Sequence, residues 1–289
     1  MRFPYHFKFN EITAESNKFQ SKSDFNVDKV KEEFNEAVLK ITNQGIEILH
    51  DFPENESDTP DEIFPNNWFS SHPDGKLVLY PMAAPNRRLE RSPFIINHLQ
   101  KNGHSELIDF TSFESQNQFL EGTGSIIFDH QNKLAFACES ERTNVQLFSS
   151  LCKQLGYQSF SFLSVDLSGF PIYHTNVVMS IGENYAVICL DSIENTIERN
   201  MINQALKQTG KTIIDITLNQ MNLFCGNIFE VRNDNDELIT LCSKTAFDAF
   251  TPNQRAQIEQ TSKLVYCDIP TIEKIGGGSV RCMMAGIYR

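Results

Sequence analysis

The stretch "EGTGSIIFDHQNKLAFAC", residues 121–138, opens on a glycine-bearing turn and then sets two apolar runs on either side of the polar "DHQNK". Short apolar runs bounded by turn residues read as a β-hairpin. Downstream, Val145, Phe148, Leu151 and Leu155 recur at helical spacing and stop at Gly156, after which "SFSFLSVDL" (159–167) returns to strand-like composition. A glycine just past the last apolar position suits the left-handed residue that ends a helix. The unit is turn, strand, strand, helix, strand.

The same unit recurs in both directions. Upstream, amphipathic helices are predicted from Val27, Val30, Phe34, Val38 and Ile41 to Gly45, and from Ile95, Ile96 and Leu99 to Gly103. Downstream, Ile197, Met201 and Ala205 precede Gly210, and a last helix opens with Thr251 as cap and Pro252 at its first position, ending near Leu264. Helix ends at 45, 103, 156, 210 and about 264 recur at roughly 53 to 58 residues, a period that marks an internal repeat. Each is followed by an apolar strand: "IEILHDF" (46–52), "SELIDF" (105–110), the 159–167 run, "TIIDIT" (212–217) and "LVYCDI" (264–269). Five such units with no Pro/Ser-rich linker predict an α/β chain closed into a ring, one domain over residues 1–289.

The bulk composition narrows the function. With 40% hydrophobic and 21% charged residues the chain is globular, and 23 phenylalanines against one tryptophan predict a Phe-packed interior. Its 25 basic and 37 acidic residues give a net charge of −12, and no Lys/Arg block stands out. That balance argues against nucleic acid and anionic membranes as partners. The start "MRFPYHFKFNEITAESNKFQ" lacks the apolar run of a signal peptide, so a cytoplasmic location is expected. Seven cysteines without a CxxC pair and seven histidines without HxH or HExxH spacing predict neither a disulfide framework nor a metal centre. A small-molecule substrate without a cofactor is the expected ligand, and a homodimer is compatible with it.

The turns that open each hairpin carry the chemistry. They read "FPNNWF" (64–69), "EGTGSI" (121–126), "YHTNVV" (173–178), "CGNIFE" (225–230) and "GGGSVRC" (276–282). In a pseudo-symmetric ring they converge, bringing together Asp61, Asn66, Asn67, Glu121, His174, Asn176, Cys225, Asn227 and Cys282. A thiol, an imidazole and a carboxylate supply the nucleophile, acid/base and orienting group of covalent catalysis. A lone cysteine in an apolar strand is ordinarily a buried small hydrophobe, a lone histidine a structural hydrogen bonder and a lone glutamate solvated. Cys282 stands apart, because three glycines allow close approach to it and Arg281 places a cation beside it. Cys225, at another repeat turn, is the weaker candidate.

Six segments, in order, resemble one family. "DEIFPNN" (61–67) is similar to its D-x-x-F-x-x-D element, "APNRRLER" (84–91) to P-x-R-R-x-E, and "EGTGS" (121–125) to E-G-G-D. "SERTN" (140–144) is similar to S-x-R-T-N, "YHTN" (173–176) to H-x-D, and "GGGSVRC" to the C-terminal nucleophile turn. The chain thus resembles the guanidino-group-modifying enzymes, or penteins, which include arginine deiminases, dimethylarginine dimethylaminohydrolases and amidinotransferases. The resemblance implies a five-bladed pseudo-symmetric α/β propeller of ββαβ units. It implies Cys282 as nucleophile, His174 as general acid/base and Glu121 as acidic partner, with Arg87 and Arg142 holding a substrate α-carboxylate.

Three positions depart from the deiminase pattern, in which carboxylates grip a cationic guanidinium. This sequence has Asn67, Gly124 and Asn176 there. Burying a cation without counter-charges costs several kcal/mol, whereas an asparagine amide offers a neutral ureido group both a donor and an acceptor. Asn67, Asn176 and Asp61 then suit citrulline, and "FPNNW" resembles the citrulline-utilisation hydrolases. The expected reaction is hydrolysis of citrulline to ornithine, ammonia and carbon dioxide through a thiocarbamate on Cys282. An arginine or methylarginine deiminase, an amidinotransferase and a non-catalytic binding protein on the same fold are the alternatives the residues leave open.

Overall fold

The computed structural model describes residues 1–51 and 58–288. Helix α1 (Val27–Thr42) comes first, capped by the Asn26 side chain. Four three-stranded sheets follow, each built the same way. In the first, β1 (Phe69–Ser71) pairs antiparallel with β2 (Lys76–Leu79), and α2 (Pro93–Lys101) returns the chain to β3 (Glu106–Asp109), parallel to β2. The second opens with the one-turn α3 (Gly122–Ser125) and runs through β4 (Ile126–Asp129), β5 (Leu134–Cys138), α4 (Val145–Leu155) and β6 (Gln158–Phe162). The third has α5 (Thr175–Val178), β7 (Met179–Ile181), β8 (Tyr185–Ile188), α6 (Thr196–Gln208) and β9 (Thr212–Asp215). The fourth has α7 (Leu218–Asn222), β10 (Phe229–Arg232), β11 (Leu238–Ser243), two short helices α8 (Lys244–Ala249) and α9 (Pro252–Glu259), and β12 (Lys263–Cys267). Helix α10 (Pro270–Gly276) leads into the C-terminal turn.

The middle strand of each sheet has neighbours on both edges and packing on both faces, which is why "LAFAC" and "YAVI" are continuous apolar runs rather than alternating ones. Helix α4 lays Leu147, Phe148, Leu151 and Leu155 against Ile126, Phe128 and Tyr80, and ends on Gly156 at φ +74°. Phe136 is fully buried and stacks on Phe160 with ring centroids 5.3 Å apart. Truncating such a ring to alanine costs about 3–5 kcal/mol. The glycines expected to end α1, α2 and α6 likewise take positive φ: Gly45 at +75°, Gly103 at +108° and Gly210 at +77°.

Three expectations are corrected. Ile197 and Met201 of α6 face solvent, while Ile202, Ala205 and Leu206 are buried. Ala205 is buried as expected, and Ile202 with Leu206, at i, i+4 spacing one residue on from Met201 and Ala205, completes the buried face. The last helix stops at Glu259, because Leu264 must be extended to pair with Thr240 in the parallel ladder of β11 and β12. The strand read over 46–52 joins no sheet: Asp51 makes only an isolated bridge to Arg2, and Phe52 lies outside the described residues.

Four sheets, rather than the five of the expected ring, are therefore present among the described residues. The two chain ends carry the elements outside these sheets. Helix α1 sends Val30, Phe34, Ala37 and Ile41 into one apolar cluster with Leu241, Val265, Ile272 and Val280. After Cys282 the chain continues as turns and lies along β1, where Ser71 accepts the Tyr288 N–H and its hydroxyl donates to the Gly286 carbonyl. No helix among the described residues is long and apolar enough to cross a membrane.

Candidate active site

Each hairpin is entered through a tight turn, and the tightness is set by residue type. Pro65 starts a single 3-10 turn over Pro65–Asn67, and Gly122 holds φ +46° against the backbone carbonyls of Asn66 and Asn67. Successive turns pack on one another: α3 touches both the 65–67 turn and α5, and α5 touches α7. The polar residues at their starts are thereby brought into one buried cluster.

Glu121 and His174, 53 residues apart, meet with Oε2 and Nε2 separated by 2.9 Å. The other carboxylate oxygen of Glu121 accepts the Ala83 N–H at 3.0 Å. Burial alone would raise the Glu121 carboxyl, but Arg142, the His174 hydrogen bond and Arg87 outweigh it and hold it at about 2. Burial pushes the His174 imidazole down to about 4 against the pull of Glu121. A buried carboxylate and a neutral imidazole result.

Cys282 is buried at the end of the glycine turn, 6% exposed. Its Sγ receives two amide N–H groups, Asn176 Nδ2 at 3.3 Å and Asn227 Nδ2 at 3.3 Å. Asn227 is fixed in turn, donating to the Asn176 carbonyl at 2.9 Å and accepting the Arg281 N–H at 3.1 Å. The Tyr173 hydroxyl donates to the Gly277 carbonyl at 3.0 Å, so the loop carrying His174 is tied to the thiol loop on both sides of the imidazole. Cys225, by contrast, points at the Ala246 carbonyl, and burial pushes its thiol up to about 12.

Asp61 accepts Asn10 Nδ2 at 2.8 Å and the Thr13 hydroxyl at 3.3 Å on Oδ2, with Arg87 Nε 3.8 Å away. Arg87 directs Nε and Nη2 to Glu90 at 2.8 and 2.9 Å and braces the Asp61 and Phe64 carbonyls. Arg142 lies over the Tyr173 ring, donates to the Thr13 carbonyl and Ser16, and stands 3.7 Å from Glu121. Several buried polar atoms have no protein partner: the acceptors Asp61 Oδ1, Asn66 Oδ1, Asn67 Oδ1 and Asn176 Oδ1, and the donor Asn66 Nδ2. A Cβ at Gly124 would fall 2.3 Å from Asn67 Oδ1 and 2.8 Å from His174 Nδ1, so glycine is what leaves these two groups facing open space.

Sequence reasoning gave no role to Asn227, although its place in the repeat turn marks it, and it missed the segment containing Asn10, Thr13, Ser16 and Asn17. That segment bonds Asp61, Arg142 and the Gly276 and Gly277 carbonyls. Its short polar sequence carries no periodicity that could have announced it. Among the described residues no group of three or more His, Cys, Asp or Glu is arranged to hold a metal ion.

Comparisons with known proteins bear on the fold and the family. The fold is similar to the N-terminal domain of ArgZ, a cyanobacterial arginine dihydrolase solved as a cysteine-to-serine mutant with substrate: 16% identity, 98% of this chain, 95% of that one, TM-score 0.75. It is similar to AgrE in a binary complex with L-arginine, at 15% identity over 98% of this chain and 39% of that one, TM-score 0.76. A dimethylarginine dimethylaminohydrolase adduct with S-methyl-L-thiocitrulline aligns at 16% identity over 98% and 96%, TM-score 0.66. No curated protein sequence matches the chain. The family profile described as N,N dimethylarginine dimethylhydrolase, eukaryotic, spans residues 3–289, and the chain therefore belongs to that family, within the guanidino-group-modifying superfamily.

Proposed function

We propose that residues 1–289 form one catalytic unit that hydrolyses citrulline to ornithine, ammonia and carbon dioxide with Cys282 as nucleophile. The observation that carries this reading is the charge state of the cluster. Its two carboxylates each stand beside an arginine, Asp61 with Arg87 at 3.8 Å and Glu121 with Arg142 at 3.7 Å, and the groups on the thiol are neutral amides. A guanidinium entering there meets neutral amides at the sulfur and an Asp61 already bonded by Asn10 and Thr13, whereas a ureido group finds acceptors for its N–H groups in Asp61 Oδ1, Asn67 Oδ1 and Asn176 Oδ1.

In this reading the Cys282 sulfur attacks the ureido carbon, forming a C–S bond while charge moves to the carbonyl oxygen. The amides of Asn176 and Asn227 turn from sulfur to that oxygen. His174, with Glu121 fixing its Nε2–H, takes the Cys282 S–H proton on Nδ1 as the sulfur attacks and passes it to the departing amine, and the C–N bond breaks to leave an S-thiocarbamate. The same imidazole takes a proton from water as it attacks, the thiolate leaves, and the released carbamate decomposes. The sum is citrulline and one water giving ornithine, ammonia and carbon dioxide. Arg142, exchanging its Ser16 contact, holds the α-carboxylate, as a bidentate guanidinium suits, while Arg87, expected to share that task, is committed to Glu90 and braces the Asp61 and Phe64 carbonyls. We also infer that the two chain ends supply the fifth unit of a ring.

A second reading, hydrolysis of arginine or a methylated arginine to citrulline, has the family match behind it and uses the same Cys282, His174 and Glu121. Acid-quenched intact mass separates the chemistry. A covalent adduct on Cys282 after mixing with citrulline, absent from Cys282→Ser, supports the proposal; an adduct formed from arginine alone overturns it.

A further inference from the structure

The hairpins share a polarity. Their first turns carry the thiol site, and their distal ends border a cavity of about 1190 Å³, lined by His130 between β4 and β5, Gly182 between β7 and β8, Asn233 between β10 and β11, and Tyr288. Arg281, the residue before the candidate nucleophile, also lines this cavity and is 8% exposed.

Five Lys or Arg side chains are more than nine-tenths buried among the described residues: Arg2, Arg87, Arg142, Lys211 and Arg281. Arg2 pairs with Asp51, Arg87 with Glu90, Arg142 with Glu121 and Lys211 with Asp129. Of these five, Arg281 alone pairs with no carboxylate among the described residues. Its guanidinium lies 4.2 Å above the Phe229 ring and donates Nη1 to the Met284 carbonyl at 2.8 Å. Nε and Nη2, the edge that grips a planar oxyanion two-pronged, bond to no described protein atom. Burial lowers the Arg281 pKa to about 10, a measure of the desolvation it bears. Around it, the Tyr288 ring lies 4.5 Å from that of His130, whose Nδ1 is bonded to the Tyr157 hydroxyl at 2.6 Å.

We propose that this second cavity is a binding site for a small monocarboxylate, its carboxylate on Nε and Nη2 of Arg281 and its apolar part against Phe229, Ile127 and Met284. A monoanion fits better than phosphate because Asp129 is paired with Lys211 and Glu183 with Arg232, which leaves Arg281 as the cation without a carboxylate and Glu230 in the same lining to repel a second negative charge. Apolar lining around a few placed polar groups is the usual composition of a small-ligand site.

The test is thermal unfolding of the full chain in butyrate, acetate or inorganic phosphate at fixed ionic strength, together with the Arg281 Nε–H resonance of the wild-type protein. Butyrate should stabilise saturably and at lower concentration than acetate, raising Tm by about 5 °C when it reaches roughly 100 times its Kd, with phosphate inert. Arg281→Gln should abolish the response, Arg142→Gln should keep it, and the wild-type resonance should move over the same butyrate range. The proposal is overturned by no saturable response, by a response that survives in folded Arg281→Gln or disappears in Arg142→Gln, or by an Arg281 resonance that stays put. If Arg281→Gln does not fold, the wild-type resonance decides.

Discussion

The 2.9 Å bond between His174 Nε2 and Glu121 Oε2 fixes which nitrogen of the imidazole is free to work. Glu121, held ionised, can only accept, so the ring carries its proton on Nε2 and leaves Nδ1 as the base. Nδ1 faces the space over Gly124 that Asn67 shares.

The pair sets an acid limit. With its pKa near 4, His174 stays neutral from pH 8 to 5, and kcat/KM should fall only as pH drops through about 4. Glu121→Gln removes the group that raises the His174 pKa, so the limb should move lower still while kcat falls by about 10²–10⁴. Stability follows the same sign. A histidine depressed from 6.5 contributes fully above pH 6.5 and loses that contribution as pH falls toward 4, and Glu121, depressed from 4.5, loses its own between 4.5 and 2. Tm measured against pH should decline through the first window, less steeply in His174→Gln.

Cys282→Ser should lose turnover by at least about 10⁴-fold while keeping its circular dichroism spectrum, since the thiol is the attacking group and not a core anchor. Hydrolysis retained in that variant contradicts covalent catalysis.

Gly124→Ala tests the shared space. Its Cβ would press on Asn67 Oδ1 at 2.3 Å and His174 Nδ1 at 2.8 Å. The expected outcome is a loss of about 1–3 kcal/mol in urea unfolding from overpacking and about 10²-fold in kcat from misplacement of the base.

Asn67→Asp restores a carboxylate where the deiminase pattern has one. Comparing kcat/KM for the two substrates, the ratio of arginine to citrulline should rise at least about tenfold, the equivalent of 1.4 kcal/mol. An unchanged ratio would remove the charge argument at that position.

Much of this was legible in the sequence, because the repeat and the site are local signals. The 3.6-residue periodicity ending on Gly103, Gly156 and Gly210 located helices, and "LAFAC" and "YAVI" located middle strands. The site could be assembled because Cys282, His174 and Glu121 occupy equivalent turns. What stayed hidden depends on partners distant in the chain: the rotation of α6 that buries Ile202 instead of Met201, the commitment of Arg87 to Glu90, and the Asn10–Asn17 segment that bonds Asp61 and Arg142. Asn227 was visible as a turn residue, but only packing brings its amide to the Cys282 sulfur.

The most direct measurement is a product assay on purified protein, with citrulline and arginine offered separately and ornithine, citrulline and ammonia quantified. Ornithine formed from citrulline, with arginine left intact, is the expected result. Citrulline accumulating from arginine or its methylated forms, with citrulline itself untouched, would contradict the account and identify the neutral amides as tolerant of a cation.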